Sequence, residues 1–143
     1  MKRVLIPIYG SDCALRGVAL VISKRALYLS PDAVEIHLIN VQAPFSNDIS
    51  RFVSHQQIAE FHRQQSDEAL QGARQMLDDA GVKYRCHIEV GNIAETITAL
   101  ANSLECDQIV MGTHGRGAFK EFVMGSIPLK VLALSEIPVL LIK

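Results

Sequence analysis

The sequence predicts an α/β protein: a single open, twisted, mainly parallel sheet with helices on both faces. Short β-branched apolar runs alternate with longer amphipathic stretches, five of the first and four of the second. Strands that alternate with helices in this way build parallel sheets. Several of the short runs are apolar almost throughout, as strands covered on both faces are. The 143 residues suit one domain spanning 1–143.

The elements follow in order. Val4 to Ile8 reads as the first strand, with Pro7 tolerated near its end. Ser11 caps a helix whose face is Leu15, Val18, Ile22, Ala26 and Leu29, at steps of three and four. Ser30-Pro31-Asp32 breaks it, and Val34 to Val41 forms a second strand. Residues 42–50 read as a loop. A long helix is expected from about Arg51 to Ala80, with Ile58, Phe61, Ala69, Ala73, Met76 and Ala80 inward and Gly81 ending it. Tyr84, Cys86, Ile88 and Val90 alternate as a third strand. Asn92 and Glu95 resemble a capping box before a helix lined by Ile93, Ile97, Leu100 and Leu104. Gln108 to Met111 is the fourth strand. Residues 112–125 are glycine-rich. Ser126 as N-cap and Pro128 in the first turn open a last helix lined by Leu129 and Leu132. Pro138 precedes the final strand, Val139 to Ile142.

Composition narrows the function. Apolar residues make up 49% and charged residues 20%, with a net charge of −1. That balance offers no basic field for nucleic acid. No apolar run approaches the roughly 20 residues that span a bilayer, and the opening apolar segment is too short for a signal-peptide core. Cys13, Cys86 and Cys106 lie far apart and no pair has zinc-ligand spacing. Reduced thiols in a cytoplasmic protein are the expectation.

The stretch after the fourth strand carries the chemistry. Gly112, Gly115 and Gly117 permit positive φ and let backbone N–H groups approach a ligand. Gly125 and Ser126 stand at a helix start, where free N–H groups and the dipole favour an anion. Arg116 and Lys120 add positive charge. Glycines alone are equally consistent with the shaping of a surface loop. Neither the Walker A spacing nor a dinucleotide fingerprint occurs there.

Gly112-x2-Gly115-x9-Gly125-Ser126 resembles the G-2x-G-9x-G-[S/T] pattern of the ATP-binding universal stress proteins. The string Val110 to Gly117 is similar almost residue for residue. The resemblance covers the whole chain and includes Ile6 to Ser11, Val90-Gly91-Asn92 and Ile137 to Leu141. The resemblance implies a five-stranded parallel sheet of order 3-2-1-4-5, Rossmann-like and akin to the adenine nucleotide alpha hydrolases. It implies ATP, AMP or a related adenine nucleotide with Mg²⁺, the adenine by the backbone at Val41. Ribose would lie by the end of strand one, at Pro7 and Tyr9. Phosphates would lie on Gly112, Gly115, Gly125 and Ser126, with Met111, His114, Arg116 and Ile127 beside them. It further implies a stress-response module and a homodimer through the last strand, 138–142. An apolar terminal strand left as an open edge is a liability that pairing removes. One departure stands out: the family commonly has an acidic residue where this chain has Tyr9, which removes a carboxylate acceptor for ribose hydroxyls and adds bulk.

The remaining polar residues carry less. His55 and His62 sit seven apart on one helix, about 10 Å along its axis, too far to chelate one ion, and read as solvated. His37 and His87 lie in strands and read as structurally satisfied. Cys13 reads as a small inert core residue. Asp67-Glu68 and Asp78-Asp79 read as a solvated helix face. There is no Ser-His-Asp arrangement or nucleophile elbow. The expectation is a nucleotide-binding module without a catalytic set. The rivals are a slow ATPase or nucleotidyl hydrolase, with His114 and Asp12 as candidate groups, and an interaction protein whose pocket Tyr9 closes.

Overall fold

The computed structural model describes residues 2–27, 30–114 and 124–143. Its strands are β1 (Arg3–Pro7), β2 (Glu35–Gln42), β3 (Tyr84–Val90), β4 (Gln108–Gly112) and β5 (Val139–Ile142). Its helices are α1 (Asp12–Arg25), α2 (Asn47–Ser50), α3 (His55–Asp79), α4 (Ile93–Ser103) and α5 (Ser126–Leu134). A single 3₁₀ turn covers Pro31–Ala33. All strands are parallel, in the order β3-β2-β1-β4-β5. None of the helices among the described residues is long and apolar enough to cross a membrane.

The alternation of side chains along β1, β2 and β4 divides the core in two. Val4, Ile6, Ile36, Leu38 and Val110 face α1 and α3. Leu5, Ile39, Val41, Ile109 and Met111 face α4 and α5. Helices therefore cover both faces, as the near-continuous apolar runs predict.

The helix starts are set by short polar side chains. Ser11 Oγ accepts from the Ala14 N–H at 3.3 Å, and Asn92 Oδ1 from the Glu95 N–H at 3.2 Å. The long helix begins at His55 rather than Arg51, because Ser54 and Gln57 form a capping box. Within the expected loop 42–50, Asn47–Ser50 makes one helical turn.

Three helix faces differ from the sequence expectation. α3 buries His62, Ser66, Leu70, Ala73 and Leu77. Of the expected stripe only Ala73 is among them, and Phe61 stays exposed. Two polar residues sit in the true stripe, so apolar periodicity selects the neighbouring one. His62 is buried, not solvated, with its ring 5.0 Å from that of Phe45 and 6.1 Å from that of Phe61. α1 buries Cys13, Ala14, Gly17, Val18 and Val21. These small residues let the helix lie close to the sheet, and a Cβ on Gly17 would meet Val110 at 3.3 Å. Leu15 and Ile22 pack at its flank. Ala26 is the exposed C-cap, and Leu29 lies outside the described residues. α5 takes Gly125, not Ser126, as its N-cap. It buries Pro128 and Val131, while Leu129 and Leu132, expected inward, are exposed. A nine-residue helix at the sheet's end has one inward stripe, and an apolar sequence on every side hides which one it is.

Candidate functional site

In an order of 3-2-1-4-5 the chain leaves β1 for β2 on one side and places β4 on the other. The carboxyl ends of β1 and β4 therefore splay at the switch point, where open α/β sheets bind ligands. A cleft of about 290 Å³ lies there. Pro7 and Tyr9 enter from the end of β1, Ser11 and Ala14 from the start of α1, and Ile93 from the start of α4. Met111, Gly112 and His114 come from the end of β4, and Gly125, Ser126, Ile127 and Pro128 from the start of α5. A larger, shallow depression of about 870 Å³ runs along the outer side of α3. Its described walls, such as Glu60, Asp67 and Arg74, belong to that helix alone, so no second element converges on a ligand.

The cleft gathers most of the residues expected at a site. Gly115 and Arg116, with Gly117 and Lys120, lie outside the described residues. Val41 ends up buried among Ile39, Ala94 and Ile97, and is not among the residues lining the cleft. Asp12 is exposed on the first turn of α1 and does not line the cleft either.

The glycines act differently from the expectation of positive φ. Gly10 holds φ +72°, which the turn between β1 and α1 requires. Gly112 is not in that region. Its side would be filled by α1: a Cβ there would stand 2.7 Å from Cys13 Cβ and 3.1 Å from the Ala14 nitrogen. Gly112 is thus a close-approach glycine that lets the first turn of α1 settle against the end of β4. Gly125 caps α5 at φ −59°, and its own N–H donates to the Thr113 carbonyl at 2.8 Å.

That cap leaves donors for a ligand. Among the described residues no side chain caps α5; the Ser126 and Ile127 N–H groups lie in its first turn and have no intrahelical acceptor, and Pro128 carries no N–H at all. The helix dipole adds partial positive charge at the same point. The cleft's described lining contains no carboxylate.

Two side-chain groups in the lining are buried without a hydrogen-bond partner among the described residues: the Tyr9 hydroxyl and His114 Nε2. Burial drives the Tyr9 pKa upward, so the phenol stays protonated and remains a donor. His114 Nδ1 lies 2.8 Å from Thr113 Oγ1. With the threonine hydroxyl donating to Nδ1, Nε2 carries the ring proton.

A buried network beneath the site has no counterpart in the sequence reading. Asn40 Nδ2 donates to the Ile8 carbonyl at 2.7 Å, while Asn40 Oδ1 accepts from Ser66 Oγ and Gln42 Nε2, both at 2.8 Å. It holds the backbone that leads into Tyr9. Nothing in the sequence sets Asn40 apart from His37 or Gln42 of the same strand. His37, buried, meets the half-buried His87, with Nδ1 of the first 2.9 Å from Nε2 of the second and the rings stacked at 5.2 Å. Nε2 of His37 has no partner within hydrogen-bond distance among the described residues. Cys13 is buried, with Arg16 Nη2 at 2.8 Å from its sulfur.

Similarity to known proteins agrees with this arrangement. Universal stress protein MJ0531 of Methanocaldococcus jannaschii is 30% identical over 99% of this chain and 82% of its own length. The solved structure of MJ0577 from the same organism superposes with a TM-score of 0.80 at 26% identity, covering 99% of this chain and 95% of that one. The universal stress protein of Archaeoglobus fulgidus in complex with dAMP shares the fold at a TM-score of 0.65 and 19% identity, over 100% of this chain and 98% of that one. The model of the universal stress protein family matches residues 1–143. With a sheet of order 3-2-1-4-5 and a glycine-lined cleft at its switch point, the chain belongs to the universal stress protein family.

Proposed function

We propose that this chain binds an adenine nucleotide, ATP or AMP, in the cleft between β1 and β4. The observation that carries the reading is the unsatisfied start of α5 at that cleft. Free N–H groups at Ser126 and Ile127, the Ser126 hydroxyl and the helix dipole suit the phosphates. Gly115 and Arg116 complete the phosphate contacts in this reading. The ribose lies by Pro7 and Tyr9, and the base reaches past the lining of the cleft to the backbone at Val41. The relative from Archaeoglobus fulgidus binds dAMP, which is the same ligand class. Among the described residues there is no group of three or more His, Cys, Asp or Glu side chains that could hold a metal. Magnesium would therefore be held by the nucleotide phosphates, as Mg²⁺ at nucleotide sites commonly is.

The module acts in the cytoplasm, in a stress response. Two copies pair through β5, and occupancy of the cleft biases their contacts, because α5 follows the phosphate site and leads directly into β5. The test is heat denaturation of the purified protein, ion-exchange analysis of the supernatant, and calorimetric titration with ATP and Mg²⁺. The expected result is released adenine nucleotide or a Kd in the micromolar range. Gly125→Ala, which places a methyl where a phosphate would approach, is expected to weaken binding about tenfold or more, since a lost contact of about 1.4 kcal/mol has that effect. Absence of both release and binding overturns the reading.

A further inference from the structure

We infer that Tyr9 makes this cleft select adenine nucleotides whose ribose carries a phosphate ester on a ring hydroxyl, over those with a free 2′,3′-diol. The inference rests on the nucleotide reading above and concerns the sugar end of the same cleft.

A free ribose diol brings two hydroxyl donors, which an ionised carboxylate accepts most strongly. Dinucleotide-binding folds meet it with a carboxylate, and meet a phosphorylated ribose with an arginine. Here Tyr9 replaces the carboxylate with a neutral donor. The Tyr9 hydroxyl is buried without a partner, and its raised pKa keeps the proton on. His114 Nε2 is likewise buried and unpartnered in the same lining. No carboxylate lines the described cleft to accept from a diol or to repel an anion. Buried donors left unmade are costly, and an anionic acceptor recovers more than a neutral hydroxyl does. A phosphate ester on O2′ or O3′, open or cyclic, supplies that acceptor.

The discriminating measurement is calorimetric affinity for three probes: 5′-AMP, adenosine 3′,5′-bisphosphate and 3′,5′-cyclic AMP. The wild-type chain is expected to bind at least one sugar-phosphorylated probe about tenfold more tightly than 5′-AMP. Which of the two is favoured distinguishes an open ester from a cyclic diester. Tyr9→Phe keeps the ring and removes only the hydroxyl, so the ratio should collapse toward one. Tyr9→Asp adds the acceptor and a like charge, so the ratio should invert in favour of 5′-AMP. A wild-type ratio near one with measurable 5′-AMP binding overturns this inference alone. A preference that survives in Tyr9→Phe also overturns it. If none of the probes nor ATP binds, the nucleotide reading falls with it.

Discussion

A Cβ on Gly112 would stand 2.7 Å from the Cβ of Cys13, so the end of β4 and the first turn of α1 meet at a point where only a hydrogen fits. Gly112→Ala must push α1 off the sheet, and overpacking of this kind costs about 1–3 kcal/mol. We expect thermal unfolding to show a Tm several degrees lower. Gly125 is different, since its nearest neighbours to an added Cβ are at 3.5 Å. Gly125→Ala should change stability by less than about 1 kcal/mol, so a loss of nucleotide affinity in that variant reports on the ligand contact. Equal Tm values for wild type and Gly112→Ala would contradict the close-approach assignment.

Asn40 is buried in the centre of the sheet and joins three elements through its amide. Asn40→Ala strands the Ile8 carbonyl and the Ser66 hydroxyl and leaves a small void. Each unsatisfied buried group costs about 1–3 kcal/mol, so urea denaturation should show a loss of at least about 2 kcal/mol. Ser66→Ala removes only one arm and should lose less. A reversed order of the two effects would contradict the network's dependence on Asn40.

The His37–His87 contact makes stability depend on pH. Burial is the main cause holding both imidazoles below their ordinary pKa. His87 and Arg85 add to this at His37, and Glu35, 3.6 Å from its Nε2, opposes it. At His87, Glu89 opposes and Arg85 adds. The unfolded chain therefore binds protons first as pH falls below about 6.5. Stability is fully present above that value and is lost as pH falls through the lowered folded-state values. The urea midpoint should drop between pH 7 and pH 5, and a His37→Gln, His87→Gln double variant should show a shallower dependence. An unchanged slope would place the pH response elsewhere.

β5 is an edge of the sheet, and Leu140 on it is 38% exposed. Edge strands of this kind invite pairing. If two copies join there, Leu140→Glu brings two carboxylates into one apolar contact. Sedimentation velocity should show a dimer for the wild type and a monomer for the variant. A wild-type monomer would remove the proposed pairing altogether.

The strands were legible in the sequence because their residues satisfy both faces at once. Val4 to Ile8 is apolar throughout, and Val34, Ile36, Leu38, Ile39 and Val41 mark the second strand despite Glu35, His37 and Asn40 between them. The caps at Ser11 and Asn92 were legible because capping is a local hydrogen bond over three residues. Ser54 with Gln57 carries the same signal for α3. Helix faces were harder, since they depend on what lies opposite. His62 and Ser66 enter the core of α3 because the Asn40 network and Phe45 receive them, and no period in the helix itself announces that.

By itself the sequence determined the alternation of strands and helices, the glycine and helix-start pattern of a phosphate site, and the family. The first rests on short-range chemistry, β-branched runs and caps, and the other two on the spacing of Gly112, Gly115, Gly125 and Ser126. Only the tertiary structure decided that Gly112 is spent on α1 rather than on positive φ, and that Tyr9 and His114 bring unpartnered groups into one cleft. It alone showed the Ile8 carbonyl, next to Tyr9, held by an asparagine of β2. Those facts join residues tens of positions apart, and their energies come from burial and close approach, which exist only once β1 and β4 lie side by side.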